Sequence, residues 1–185
     1  MYYINVHYFG FAEEPWLVGC HGDCWVNNLM FKYDDRNVPE DVTLLDLQLY
    51  REACPTTDLL YFTFSSLTYE TRKKYETQLL RIYYQRYLRV CNSLKGTQMP
   101  GFTFQRLQRR YRAAKWFGVF LALPVLSIIL SSPETAVDMD TMDKEENGNI
   151  ADMFETIITD GSKNNDLFKD RFGGLLKELY EDGVI

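Results

Sequence analysis

The stretch His21-Gly22-Asp23-Cys24-Trp25-Val26-Asn27-Asn28, followed after a gap by Leu45-Asp46-Leu47-Gln48, decides how this sequence is read. The first eight residues are too polar at key points for a strand interior and read as a loop. Before them, Trp16 to Cys20 reads as a short buried strand. After them, Leu29, Phe31 and Tyr33 alternate with Met30 and Lys32, the period of a strand. Asp34 to Glu40 is turn chemistry, and Val42 to Leu45 is a second strand that ends at Asp46. The two strands are expected to form a hairpin.

Written as H-x-D-x-x-x-x-N, the loop has the spacing of a phosphoryl-transfer catalytic loop. That chemistry needs a carboxylate beside the acceptor hydroxyl and oxygen ligands for Mg²⁺ on the nucleotide phosphates. Asp23 is the candidate carboxylate, and Asn28 and Asp46 are the candidate metal ligands. A turn centred on residue 37 pairs Asn28 with Asp46 across a regular ladder, about 4.5–5.5 Å apart at Cα. A bulge would shift that pairing by one residue. His21 reads as a residue that holds the loop, because the carboxylate takes the proton-accepting role in such loops.

Working outward, Leu79, Leu80, Tyr83, Tyr84, Tyr87, Leu88, Cys91 and Leu94 form an apolar stripe, so a helix is expected over 68–95, stopped at Gly96. A second helix starts near Thr103 as its cap, with Phe102 and Leu107 as a hydrophobic staple. Trp116 to Leu130 is uncharged but too short to span a bilayer at about 20 residues, and reads as a buried helix pair broken at Pro124. Residues 134–149 carry six acids against Lys144 and read as an acidic loop or linker. Residues 150–182 read as one or two short amphipathic helices with a possible interruption at Gly173–Gly174.

The chain has 185 residues, 46% hydrophobic and 15% aromatic, enough for a core and against wholesale disorder. Its net charge of −6 argues against a nucleic-acid binder. The charge is uneven: residues 70–116 hold twelve of the twenty basic residues and only Glu70 and Glu76 as acids, a local +10. The tyrosines of this segment serve the apolar stripe, so the basic side reads as solvated. Cys20 and Cys24 have a zinc-compatible spacing but lack a second ligand pair. Four irregularly spaced cysteines and no signal-peptide pattern lead to a reducing, cytoplasmic expectation. The fold class expected is α+β, mainly helical.

HGDCWVNNLMFKYD and LLDLQLYREACPTTDLLYF resemble the catalytic half of the ecdysteroid kinase-like family, the CHK kinase-like proteins of the aminoglycoside and choline phosphotransferase group. The pattern is H-G-D-x-W-x-N-N, a hairpin, D-F-Q, then D-L-L-x-F; here Leu47 replaces the usual Phe. The likeness implies the C-terminal lobe of a protein-kinase-like fold over 1–133, with catalytic loop 21–28, hairpin 29–46 and helices 68–130. Beyond it lie the 134–149 linker and a 150–185 helical segment. It also implies Asp23 as catalytic base, Asn28 and Asp46 as Mg²⁺ and nucleotide ligands, and Asp58 as a brace of the loop. ATP is the implied donor and a sterol or choline-like alcohol the implied acceptor, with neither nucleic acid nor a membrane span.

A kinase also needs a glycine-rich loop over the phosphates and a strand lysine. No Lys or Arg precedes Lys32. Two readings follow: a phosphotransferase lobe that is inactive without an N-terminal lobe as partner, or a non-catalytic remnant that serves as a binding or regulatory module.

Overall fold

The computed structural model describes residues 16–130 and 166–185. Four short strands come first: β1 (Val18–Cys20), β2 (Leu29–Tyr33), β3 (Pro39–Leu44) and β4 (Arg51–Ala53). Helices α1 (Pro55–Ser66), α2 (Tyr69–Ser93), α3 (Phe104–Ala113), α4 (Lys115–Leu130) and α5 (Asp166–Glu181) follow. The class is α+β and mainly helical. The strands make two separate antiparallel pairs, β1 with β4 and β2 with β3. The linker expected at 134–149, and residues 150–165 of the tail, lie outside the described residues.

Local chemistry accounts for the helix ends. Thr68 and Thr103 each cap the helix that follows, accepting from the Thr71 and Arg106 amides at 3.3 Å. Phe102 and Leu107 are both buried and pack with Trp16, as a hydrophobic staple requires. The stop of α2 differs in detail from expectation. Lys95 takes the left-handed conformation (φ 51°), while the Gly96 amide bonds back to Cys91 and the Lys95 amide to Asn92.

Two elements differ more, and a helix stands where the sequence assigns no element. Residues 55–66 form a helix that carries no clear period, because Pro55, Thr56, Thr57, Leu60, Tyr61, Thr63, Phe64 and Ser65 are all buried. The chain through Pro124 is one helix rather than a broken pair. Proline removes one backbone donor there, at a cost of about 3 kcal/mol. The packing of α4 on α1 and α5, through Val119, Ala122, Leu123 and Leu126, outweighs that cost. Gly173–Gly174 likewise does not interrupt α5. No helix among the described residues is long and apolar enough to cross a membrane.

The main core joins Leu60 and Phe64 of α1, Leu80 of α2, Tyr111 of α3, the α4 residues above, and Phe168, Leu175 and Leu179 of α5. A Cβ on Gly174 would lie 2.8 Å from the Tyr69 Cβ, so α5 approaches the start of α2 only through glycine. A Cβ on Gly173 would meet nothing within 4 Å. Gly173→Ala is therefore expected to stabilise the protein by about 0.5–1 kcal/mol through helix propensity. Gly174→Ala should instead destabilise it, by about 1–2 kcal/mol after the same gain is discounted. Thermal unfolding of the two variants checks the pair, and equal shifts would refute the close approach.

Candidate functional site

The loop between β1 and β2 is clamped from below by α1. Asp58, in the first turn of that helix, accepts from the His21 amide at 2.6 Å and from the Gly22 amide at 3.0 Å. Gly22 sits at φ 87°, and a Cβ there would lie 2.2 Å from the Leu49 carbonyl oxygen. Only glycine admits both that backbone and that neighbour. His21 is buried, and its two ring nitrogens have different partners. Nε2 lies 2.7 Å from the Leu45 carbonyl oxygen, which only accepts, so Nε2 carries the hydrogen. The Asp23 amide donates to Nδ1 at 3.3 Å. His21 thus ties the loop to the end of the hairpin's second strand.

Asp23 is held at both carboxylate oxygens. Tyr61 donates its hydroxyl to Oδ1 at 2.7 Å, and Asn28 Nδ2 donates to Oδ2 at 2.9 Å. The same Asn28 nitrogen also reaches the Asp23 carbonyl at 2.9 Å. Burial, then the hydrogen bond and charge of Asp23, hold the Tyr61 phenol well above its usual range, so it remains a donor. Neighbouring Cys24 is pushed up to about 11, by burial first and then by Asp58 and Asp23. It therefore offers no thiolate nucleophile near neutral pH.

The hairpin register corrects the expected pairing. Leu29 stands opposite Leu44, and the Leu45 amide donates to the Asn28 carbonyl at 2.9 Å, so Asn28 faces Leu45 and not Asp46. The cause is the turn, which is centred on residue 36 and not 37: Tyr33 pairs with Pro39, and the Asp34 amide donates to the Val38 carbonyl. That turn alone would set Asn28 opposite Leu44, and a bulge moves the ladder one residue toward Asp46. Lys32 pairs with Asp41 but Tyr33 with Pro39, leaving Glu40 as the extra residue of β3. Asp46 follows the ladder by one residue, exposed and left-handed at φ 59°, with a 3.5 Å contact from Gln48 Nε2 on its carboxylate. A non-glycine residue held there is uncommon, and such conformations concentrate at functional sites. The structure thus brings His21, Asp23, Asn28 and Asp58 into one hydrogen-bonded group and sets Asp46 beside it, beyond Leu45.

A family model described as the ecdysteroid kinase-like family matches residues 3–96. The chain belongs to the ecdysteroid kinase-like family. No curated protein and no solved structure matches it. The matched span covers the described strands and the helices α1 and α2, and therefore every residue of the group around Asp23. Kinase-like character in the family fits a phosphotransferase.

Membership leaves Tyr61 unassigned, and sequence reading missed it. Its signal was present. Pro55 suits the first position of a helix, and on that helix Asp58 and Tyr61 are three residues apart and share a face. Ser66, at the other end of α1, accepts from the Val26 amide at 3.0 Å. An apolar hollow of about 240 Å³ adjoins the group, walled by Val18, Cys20, Cys24, Leu59, Phe62 and Tyr83. The carboxylates of Glu76, Glu178 and Asp182 also converge, but on the Lys115 ammonium, which already occupies their meeting point.

Asp58→Ala is expected to destabilise the protein by about 2–3 kcal/mol, because it strands two amides that now donate to a charged acceptor. Hydrogen exchange at the His21 and Gly22 amides should rise with it. Unchanged protection there would show that Asp58 does not hold the loop.

Proposed function

We propose that this chain supplies the catalytic half of an ATP-dependent phosphotransferase acting on a small-molecule hydroxyl. In this reading residues 16–130 correspond to the C-terminal lobe of a protein-kinase-like fold, and the hairpin is its catalytic-loop hairpin. One observation carries the reading: the Asp23 carboxylate is fixed between Tyr61 and Asn28 on a loop that Asp58 clamps. A carboxylate so held is oriented toward one acceptor proton before substrate arrives, which is where such enzymes obtain much of their rate.

The donors around it suit a hard cation. Asn28 uses its side-chain nitrogen on Asp23, which leaves its carbonyl oxygen as the ligand atom. Asp46 adds an exposed carboxylate. An all-oxygen set fits Mg²⁺, which also relies on substrate phosphates and retained waters. When bound with ATP, Mg²⁺ supplies charge neutralisation on the phosphate oxygens. Asp23 accepts the hydroxyl proton of the acceptor, His21 and Asp58 keep the loop in shape, and the hollow beside Cys24 shelters the acceptor's apolar part from water. A sterol or choline-like alcohol is the acceptor class implied by the family.

A second reading has its own support. The first 31 residues hold no Lys or Arg to pair with nucleotide phosphates. On that reading the chain is a non-catalytic binding or regulatory module. Phosphate transfer to a panel of alcohols separates the two, measured for these 185 residues alone and joined to a glycine-rich nucleotide-binding lobe. Negligible transfer alone and clear transfer when joined support the phosphotransferase. Asp46→Asn should then weaken ATP–Mg²⁺ binding. No transfer in either form favours the module, and robust turnover by the chain alone would show that no further lobe is needed.

A further inference from the structure

We propose that the outer face of α2 is a docking surface for an anionic lipid bilayer. The inner side of this helix is committed to the fold. Leu80 is buried in the main core, and the Tyr84 and Tyr87 rings lie 5.6 and 4.7 Å from that of Phe102. The outer side carries Tyr75, Ile82, Arg86, Arg89 and Val90, spaced so that a helix sets them along one face. Arg86 and Arg89 are exposed, and Ile82 and Val90 expose 52% and 42% of their surface. Lys74, also exposed, precedes this row on α2, and exposed Lys95 lies just past the end of the helix.

The charge here is not cancelled locally. No acid occurs between Glu76 and Trp116, and Glu76 itself is taken by Lys115. Arg72 and Lys73, on the inner side, pair with Glu178 and Glu181 of α5. Among the described residues no ion pair engages Arg86 or Arg89. The chain as a whole is acidic at −6, but screening over about 8 Å at physiological salt lets a local basic row act against a surface independently of distant acids.

Two features favour lipid over nucleic acid. Tyr84 and Tyr87, rings that bases would stack on, are turned into the protein, and Tyr75 of the outer row, 38% exposed, has the Lys74 ammonium over its ring. What emerges on either side of the two arginines is aliphatic, Ile82 and Val90. An interfacial helix needs that mixture: methyl groups below the headgroups, guanidinium groups at phosphate level, and arginine stems along the boundary. The face is also rigid before contact, since the inner side is packed. The proposal is independent of phosphate transfer and stands or falls by itself.

The test is cosedimentation of the full chain with vesicles of phosphatidylcholine alone, or containing phosphatidylserine. Binding is expected to the anionic vesicles only and to weaken as salt rises. Each basic residue near such a surface contributes about fivefold, so Arg86→Gln with Arg89→Gln should weaken binding about 25-fold. Ile82→Ser with Val90→Ser leaves the charge intact and should weaken it about tenfold. All four positions are exposed, and circular dichroism should show unchanged helix content. Equal binding to both vesicle types, or no loss in the arginine pair, overturns the proposal. So does capture of a single-stranded oligonucleotide by the same arginines with no vesicle binding, which would make nucleic acid the partner.

Discussion

Lys115→Met is expected to lower the unfolding free energy by about 3–5 kcal/mol, because it strands carboxylates that now converge on a buried ammonium. The Lys115 side chain is 2% exposed, and Nζ donates to Glu76 at 2.5 Å, Glu178 at 2.8 Å and Asp182 at 2.5 Å. Glu178 is shared with the equally buried Arg72, at 2.7 Å. Two cations thus face three carboxylates drawn from α2, α5 and the turn just after α5, with Lys115 contributed by α4. Burial disfavours the charged lysine, yet Glu76, Asp182 and Glu178 together hold its pKa above the ordinary value. A raised folded-state pKa contributes stability that is complete below the unfolded lysine value of about 10.4 and is lost as pH rises through the folded value. The parent protein should therefore lose stability on the alkaline side, and Lys115→Met should show less of that slope. Adding Glu76→Gln should recover part of the loss, since it removes one stranded charge. Denaturant unfolding near neutral pH and on the alkaline side measures all three. A Lys115→Met protein as stable as its parent would sink this account.

Asp23→Asn, in the form joined to a nucleotide-binding lobe, is expected to lower phosphate transfer by about 10²–10⁴-fold, the range for losing a positioned general base. The amide keeps the size of the carboxylate and one acceptor oxygen. It cannot accept from both Tyr61 and Asn28, so one of those contacts weakens, but Asp58 still clamps the backbone. ATP–Mg²⁺ binding should change little, because Asn28 and Asp46 retain their oxygens. That split between transfer and binding is the diagnostic result. Unchanged transfer would remove Asp23 from the mechanism, and a fall in binding as large as the fall in transfer would place it among the nucleotide ligands instead.

Much of the local structure was legible in the residues. Leu29 to Tyr33 alternates and is a strand with those bounds, and Thr68 and Thr103 cap the helices that follow them. These features depend on neighbours within a few positions, which is the range over which side-chain period and capping act. The motif around Asp23 was legible for the same reason: its loop needs glycine at a left-handed position and polar groups close in sequence.

The rest was decided at long range. The turn centred on residue 36, with the bulge at Glu40, set Asn28 opposite Leu45, and burial could not reveal it, because β3 and the outer part of β2 are exposed and neither register is favoured by a core. Residues 55–66 hid their helix because a segment enclosed on most sides needs no polar face and so shows no period. Pro124 and Gly173–Gly174 look like breaks when only propensity is weighed, but packing against other helices outweighs a local penalty of a few kcal/mol. Tyr61 reaches Asp23 across 38 positions, and Lys115 reaches Glu178 across 63. The sequence alone determined which groups exist and how each short segment folds. Only the tertiary structure, by burying distant charges together where water no longer screens them, decided which of those groups meet.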